Sequence, residues 1–206
     1  MQEILRTTLI GLFFGTFGTT IGGIIGVRTK RNSQKFLSFI LAFASGLMMA
    51  IICFDLIPEA IEIGNMFNLN IGIFLGIFMM IYCDKIVEKK FNTKKYDNNL
   101  LKTGIIVSIG LAIGSGFGSS IKLGLSLAIA ICLHDIPEGI SMAIPMKNGG
   151  MKKGKVVFLV VMSGITTGIG ALVGAIIGGI SESIISICLS FAAGAMLYII
   201  SRRVDS

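Results

Sequence analysis

Long apolar runs, separated by short polar breaks, make up almost the whole chain. Seven runs approach or reach the length of about 20 apolar residues that a helix needs to cross a bilayer. They cover residues 4–27, 36–61, 70–86, 103–117, 123–146, 156–180 and 183–200. The pattern predicts an all-α, polytopic transmembrane helix bundle of about seven spans. It forms a single domain over residues 1–206 and leaves no room for a soluble catalytic domain.

The composition agrees with a membrane protein. Only 14% of the 206 residues are charged and 53% are hydrophobic, with a mean hydropathy of +0.87, whereas soluble domains average about 25% charged residues. So few charges cannot cover a globular surface in water. After Arg6, the first run continues to Val27 without a small-residue cleavage site. We therefore expect a retained span rather than a cleaved signal peptide.

The positions of the basic residues predict the orientation. If the breaks between spans are assigned alternately to two sides, all of the 18 Lys and Arg residues except Arg6 and Lys122 fall on one side. The positive-inside rule places that side in the cytoplasm and the N-terminus outside, in a multi-pass protein of the cell membrane. Residues 87–102 then form a cytoplasmic basic loop. Despite the net charge of +7, the basic patches lack interleaved aromatic residues, so nucleic acid is not an expected partner.

Acidic residues lie deep in apolar sequence at two places. The second run contains Asp55 and Glu59, and the fifth contains His134, Asp135 and Glu138 within "LHDIPEGI". A charge at the centre of a bilayer costs about 2.5–3.5 kcal/mol on insertion scales, so it persists only beside a partner or a water-filled cavity. The spacing of four residues in each motif puts both members of a pair on one helix face.

The fifth-run motif has the chemistry of a metal site. Carboxylate and imidazole together suit zinc and other divalent transition metals. Pro58 and Pro137 precede the glutamates, and each proline frees the backbone carbonyl four residues earlier. We predict that His134, Asp135 and Glu138 bind a dication inside the membrane. Ion pairing between helices is the competing explanation.

Other polar and sulfur-containing residues have simpler explanations. For Glu59, near the outer end of its run, ion pairing and a role at the mouth of a pathway are equally favoured. Met48 and Met49 are more often packing residues than ligands. The cysteines Cys53, Cys83, Cys132 and Cys188 show no CxxC spacing and are expected to be small core residues.

Three segments resemble the ZIP family of divalent-metal transporters, in particular its bacterial zinc-transporter branch. They are "FASGLMMAIICFDLIPEAIE", "LGLSLAIAICLHDIPEGISMAIPM" and "SGITTGIGALVGAIIGG". The resemblance implies eight helices and uptake of zinc, or of iron, manganese or cadmium, as the transported ion rather than as a cofactor. It also implies that His134, Asp135 and Glu138 are metal ligands, that Met48 lies near them, and that Asp55 lines the outer approach.

The chain departs from the family pattern at several positions. The family has a second metal motif in its fourth span, but the corresponding stretch here, "TGIIVSIGLAIGSGFGSS", contains no ionisable residue. Thr166 and Thr167 occupy the place where some members have a metal-binding glutamate. Relative to the family, the chain is expected to lack the fourth-span motif and the last span. The fourth run itself is short for a span.

Three functions follow as hypotheses. The first is a transporter that moves a divalent metal ion, zinc before others, into the cytoplasm. The second is a transport-incompetent or truncated relative that binds metal without turnover. The third is an intramembrane metalloenzyme, which the single histidine of the chain disfavours because zinc proteases commonly use two. The expected partners are a metal ion, the lipid bilayer and, as an open question, a second copy in a homodimer.

Overall fold

The computed structural model describes residues 1–29, 34–91 and 99–204 of the chain. These residues form helices and the turns between them, without any strand. The helices are α1 (Gln2–Arg28), α2 (Gln34–Ile51), α3 (Ile57–Ile63), α4 (Met66–Phe91), α5 (Asn99–Ser119), α6 (Ile121–Asn148), α7 (Lys153–Gly178) and α8 (Glu182–Val204). A π-helical turn, Ile52–Leu56, joins α2 to α3.

Each of the seven predicted spans coincides with a helical segment. Six helical segments are long and apolar enough to cross a membrane, and α2, the π turn and α3 together provide one of them, Lys35–Ile63. The fourth predicted span lies within α5, which has 21 residues and is therefore about 31 Å long. The chain is an all-helical, multi-pass integral membrane protein.

A local rearrangement interrupts the second span beside Asp55. Pro58 has no backbone N–H, so the carbonyl of Phe54 loses its usual partner four residues ahead. The amide of Ile57 instead donates to the carbonyl of Ile52, five residues earlier. Such π-type turns widen the helix and are frequent at functional sites. The sequence predicted the loosened carbonyl but not the π turn.

Glycines bring the helix backbones into direct contact. In α1, one set of glycines packs against α6 and another set packs against α7. The same kind of contact joins α5 to α7, and α4 to α8. Close approach matters in a bilayer because lipid tails remove the hydrophobic drive for helix association, leaving dispersion contacts to hold the bundle together. The glycine-rich runs thus specify which helix faces meet.

Three polar contacts join helices on the side predicted to be cytoplasmic. The Lys147 ammonium donates a hydrogen bond of 2.6 Å to the carbonyl of Thr29, at the end of α1. Between α4 and α8, Asp84 Oδ2 accepts a hydrogen bond of 2.7 Å from the hydroxyl of Tyr198. The same oxygen lies 2.9 Å from a guanidinium nitrogen of Arg202. Asp84 is therefore a helix-joining acid that the sequence patterns did not single out.

The predicted basic loop, residues 87–102, is only partly described. Helix α4 continues to Phe91 and α5 begins at Asn99, so both helices extend into this segment. Residues 92–98 lie outside the described part of the chain. The orientation of the protein in the membrane remains a prediction from the charge pattern.

Candidate metal centre

The candidate centre occupies one turn of α6, near the middle of the bundle. Helix α6 begins with a hydrogen bond from the amide of Leu123 to the Ser120 hydroxyl oxygen, 3.1 Å long, and continues through Pro137 to Asn148. His134 and Glu138 are one turn apart and share a face, and Asp135 lies beside them. All three side chains are buried, with relative exposures of 1%, 3% and 4% in order along the chain.

The three side chains converge. His134 Nδ1 lies 3.4 Å from Asp135 Oδ1 and 3.7 Å from Glu138 Oε2, and one ligand atom from each residue lies within 4.8 Å of the others. Zinc binds nitrogen and oxygen at about 2.0–2.2 Å, so neighbouring ligands around a tetrahedral zinc are about 3.3 Å apart. The two distances from His134 Nδ1 are close to that edge length. Among the described residues, this is the one group of three such side chains whose ligand atoms all lie within 4.8 Å of one another.

Two polar atoms of the cluster have no hydrogen-bond partner in the described part of the chain. His134 Nε2 and Asp135 Oδ2 are fully buried and make no hydrogen bond to the described residues. A buried polar atom without a partner costs about 1–3 kcal/mol, and more when it is charged. Metal ligands must be deprotonated, so a site built from two carboxylates and one imidazole would place two negative charges on this buried turn. A dication bound there would balance both charges and occupy free lone pairs.

The other predicted site residues come from the second span. Met48 is fully buried and packs in the apolar core that also contains Ile109 and Ile131. Asp55 is half-buried within the π turn. Glu59 is half-buried, and its Oε1 accepts a hydrogen bond of 3.0 Å from the hydroxyl of Ser119. Neither acid joins the three-residue cluster.

The depths of these residues follow from their positions along the helices. The Glu59–Ser119 hydrogen bond places the end of α3 beside the end of α5, where α6 then begins. At 1.5 Å per residue, Glu59 lies about 6 Å from that end of the bundle and Asp55 about 12 Å. His134 and Met48 lie about 20 Å and about 22 Å from it. Glu59 and Asp55 thus lie at successive depths between that end of the bundle and the depth of the cluster.

The fourth and sixth spans supply no acidic or imidazole ligand at the centre. The buried polar side chains of the described part of α5 are Ser108 and Ser115. Thr167, in α7, is buried against Gly15 of α1, where it fills the space above the glycine. All three side chains of the cluster therefore come from α6.

The sequence patterns did not identify the residue that packs against Asp135 from α1. The α-carbon of Gly18 faces the turn so closely that a Cβ there would lie 2.8 Å from Asp135 Cβ. The spacing of Gly18, Gly22 and Gly26 was a usable signal, because residues four apart share a helix face. That signal, however, does not reveal which helix the face meets.

The fold and this centre define a class: a multi-pass membrane protein with a buried carboxylate–imidazole cluster on one of its helices. Comparison with known proteins shows what the chain is similar to. Residues 106–203 match the family model described as ZIP Zinc transporter. Protein zntB of Dictyostelium discoideum is 38% identical over 76 residues, which are 37% of this chain and 20% of that protein.

Two further relatives match over more of the chain. Zinc transporter ZupT of Enterobacter sp. (strain 638) is 26% identical over 139 residues, which are 63% of this chain and 46% of that protein. Zinc transporter ZTP29 of Arabidopsis thaliana is 26% identical over 155 residues, covering 66% and 49% respectively. The chain spans about half the length of these two relatives. Residues 106–203 are thus similar to the ZIP zinc transporter family.

Proposed function

We propose that the chain is a transporter that moves divalent metal ions, zinc before others, into the cytoplasm across the cell membrane. The observation that carries the proposal is the buried cluster of His134, Asp135 and Glu138, whose ligand atoms lie within 4.8 Å of one another. Within it, Asp135 Oδ2 has no hydrogen-bond partner among the described residues. Two of the similar proteins bear the name zinc transporter, which supports zinc as the first ion to test. Iron, manganese and cadmium are the competing ions.

The staggered acids support a route for the ion. A dication entering at the face that carries Glu59 meets that carboxylate first and Asp55 about 6 Å deeper. At the cluster it exchanges water for two carboxylates and an imidazole, which offset the loss of hydration by direct coordination. It then leaves towards the side that carries most of the lysines and arginines. Opening of each side in turn would come from rocking of helices around the site.

Zinc uptake into vesicles tests the proposal. The parent chain in liposomes should load zinc faster than protein-free liposomes do. Asp135→Asn keeps the shape of the side chain but removes one charge, so we expect an uptake rate at least about 10-fold lower. Asp84→Asn, the same substitution outside the cluster, should retain most of the rate. Equal uptake by the parent and by Asp135→Asn would contradict the role of the cluster.

Asp55 provides a test of the route. Its carboxylate is half-buried, 79 residues before His134 in the chain, and would concentrate cations without binding them at the centre. We expect Asp55→Asn to raise the zinc concentration that gives half-maximal uptake by about 3- to 10-fold, with a smaller effect on the maximal rate. Glu62→Gln, at an exposed acid of α3, is the matched control. An unchanged concentration dependence in Asp55→Asn would remove Asp55 from the route.

One observation favours a second candidate, a relative that binds metal without transporting it. All three side chains of the cluster come from α6, and none comes from α5. Three protein ligands and a water can hold zinc, but they need not support release. Zinc binding by purified protein, together with vesicles that load no faster than protein-free liposomes, would favour this candidate. A homodimer remains an additional prediction, for which cross-linking in the membrane is the test.

A further inference from the structure

We infer that Gly18 of α1 is a positioning residue for the cluster. Because Gly18 has no side chain, α1 packs directly against the turn of α6 that carries Asp135, and this contact sets the position of the Asp135 carboxylate. The inference rests on the proposed metal binding and deepens it. Gly18 is not a ligand, and its own backbone need not touch the ion. Its effect is exerted through Asp135.

The contact geometry supports this role. A Cβ on Gly18 would lie 2.8 Å from Asp135 Cβ and 2.5 Å from the carbonyl oxygen of Cys132. Carbon atoms in contact normally sit about 3.5–4.0 Å apart. A single added methyl group would therefore force the Asp135 turn to move by about 1 Å. Backbone atoms form part of the obstacle, so rotation of one side chain cannot relieve it.

The neighbouring contacts show that α1 supports this turn along its length. A Cβ on Gly22 would overlap the carbonyl oxygen of Ile136, one residue after Asp135. In the opposite direction, a Cβ on Gly139 would lie 2.6 Å from the carbonyl oxygen of Thr19. The ligand turn is thus held between glycines on both helices.

Of the three proposed ligands, Asp135 is the one that such a displacement would affect most. On a helix with 100° between successive residues, Asp135 lies between the face that meets α1 and the face that carries His134 and Glu138. Its Oδ1 faces the imidazole at 3.4 Å, while its buried Oδ2 has no partner in the described residues. Metal–ligand distances tolerate deviations of only about 0.2 Å. A shift of the turn by several times that amount would spoil the site.

The test compares two Gly→Ala variants of α1 that face the same helix. Gly18→Ala introduces a methyl group at Asp135. Gly26→Ala, two turns away, introduces one where a Cβ would lie 2.6 Å from Ala143 Cβ and 3.2 Å from the carbonyl of Ile140. Both variants strain the α1–α6 contact, but only the first touches the cluster. Each is purified as the full chain and titrated with zinc by calorimetry and with cobalt(II) by absorption spectroscopy.

We expect Gly18→Ala to weaken zinc binding by about 10- to 100-fold, as the loss of a group that orients a ligand commonly does. Its cobalt spectrum should shift because the ligand geometry changes. Gly26→Ala should bind zinc as the parent does and leave the spectrum unchanged, even if its melting temperature falls. Parent-like binding in both variants, or an equal loss in both, would overturn the inference.

A double-mutant cycle separates action through Asp135 from general loosening. If Gly18 acts through Asp135, then adding Gly18→Ala to Asp135→Ala should cost little further affinity. Full additivity of the two losses would contradict the proposed coupling. The His134→Ala/Glu138→Ala variant tests the site itself: if it binds zinc like the parent, the proposed metal centre fails independently of Gly18.

A measurement on the unaltered chain covers the case in which Gly18→Ala does not fold. Zinc should slow amide hydrogen exchange in the cluster segment, residues 133–139, and also in residues 15–23 of α1, which contain no ligand. Residues 4–11 of the same helix, distant from the cluster, serve as the internal control. Protection of the α6 segment without protection of residues 15–23 would contradict the inference.

Discussion

Zinc binding is expected to be lost when His134 and Glu138 are both replaced by alanine, with the dissociation constant rising by at least about 1,000-fold. The reason is the number of ligands: two of the three converging side chains disappear, and Asp135 alone cannot replace the hydration of a dication. Loss of a group that merely orients a ligand already costs about 10- to 100-fold. Calorimetry on purified protein measures the effect directly.

Stability provides a second readout for the same variant. In the parent, bound zinc should raise the melting temperature, because a ligand that binds only the folded state stabilises it. The double variant should show no zinc-dependent rise. Without zinc, its melting temperature should fall only by what the lost packing explains. Removal of a buried carboxylate adds no further loss, because burying that charge is itself unfavourable. This separates loss of the site from loss of the fold.

Replacement of Asp55 and Glu59 by alanine is the matched control for that variant. It also removes two polar side chains spaced four residues apart next to a proline, but in the second span. Zinc affinity at the cluster should change by less than about 3-fold, because neither side chain belongs to the three-residue group. Equal zinc binding by the parent and by His134→Ala/Glu138→Ala would disprove the assignment of the cluster as the metal centre.

The fold was predictable because membrane spans are encoded locally. A helix in lipid must satisfy its own backbone hydrogen bonds, so a sufficiently long apolar run has few alternatives. That constraint explains the agreement between the predicted spans and the helices. The ends were less predictable. Helix α5 begins at Asn99, ahead of the predicted residue 103, because backbone hydrogen bonds can continue through polar residues beyond the apolar run.

The cluster was partly predictable because part of its geometry is also encoded locally. The convergence of His134 and Glu138 follows from their spacing on one helix, which requires no knowledge of the other helices. The contact between Gly18 and Asp135 joins residues 117 positions apart, so no local pattern encodes it. The same applies to Asp84, whose partners Tyr198 and Arg202 lie in the last helix. The π turn beside Asp55 is an intermediate case, since Pro58 predicted a disturbance without its form.

The glycine contacts between α5 and α7 lead to the largest expected effect on stability. We expect Gly110→Val to lower the free energy of unfolding by about 3 kcal/mol or more, since overpacking a close contact commonly costs 1–3 kcal/mol and this obstacle is backbone. A Cβ at Gly110 would overlap the carbonyl oxygen of Thr167 and lie 2.8 Å from the amide nitrogen of Ala171. Valine adds two further carbons there, so α5 must move away from α7.

Gly46→Val is the control that separates the effect of the α5–α7 contact from the effect of placing valine in a helix. Gly46 lies within α2, and a Cβ there would meet no atom within 4 Å. Both variants exchange glycine for the same β-branched residue inside a helix, so they share its effect on helix propensity. Melting curves of the two purified proteins, with the parent beside them, therefore report the α5–α7 contact alone. If Gly110→Val melts no lower than Gly46→Val, the backbone-to-backbone packing of α5 on α7 is wrong, and with it the placement of the fourth span in this bundle.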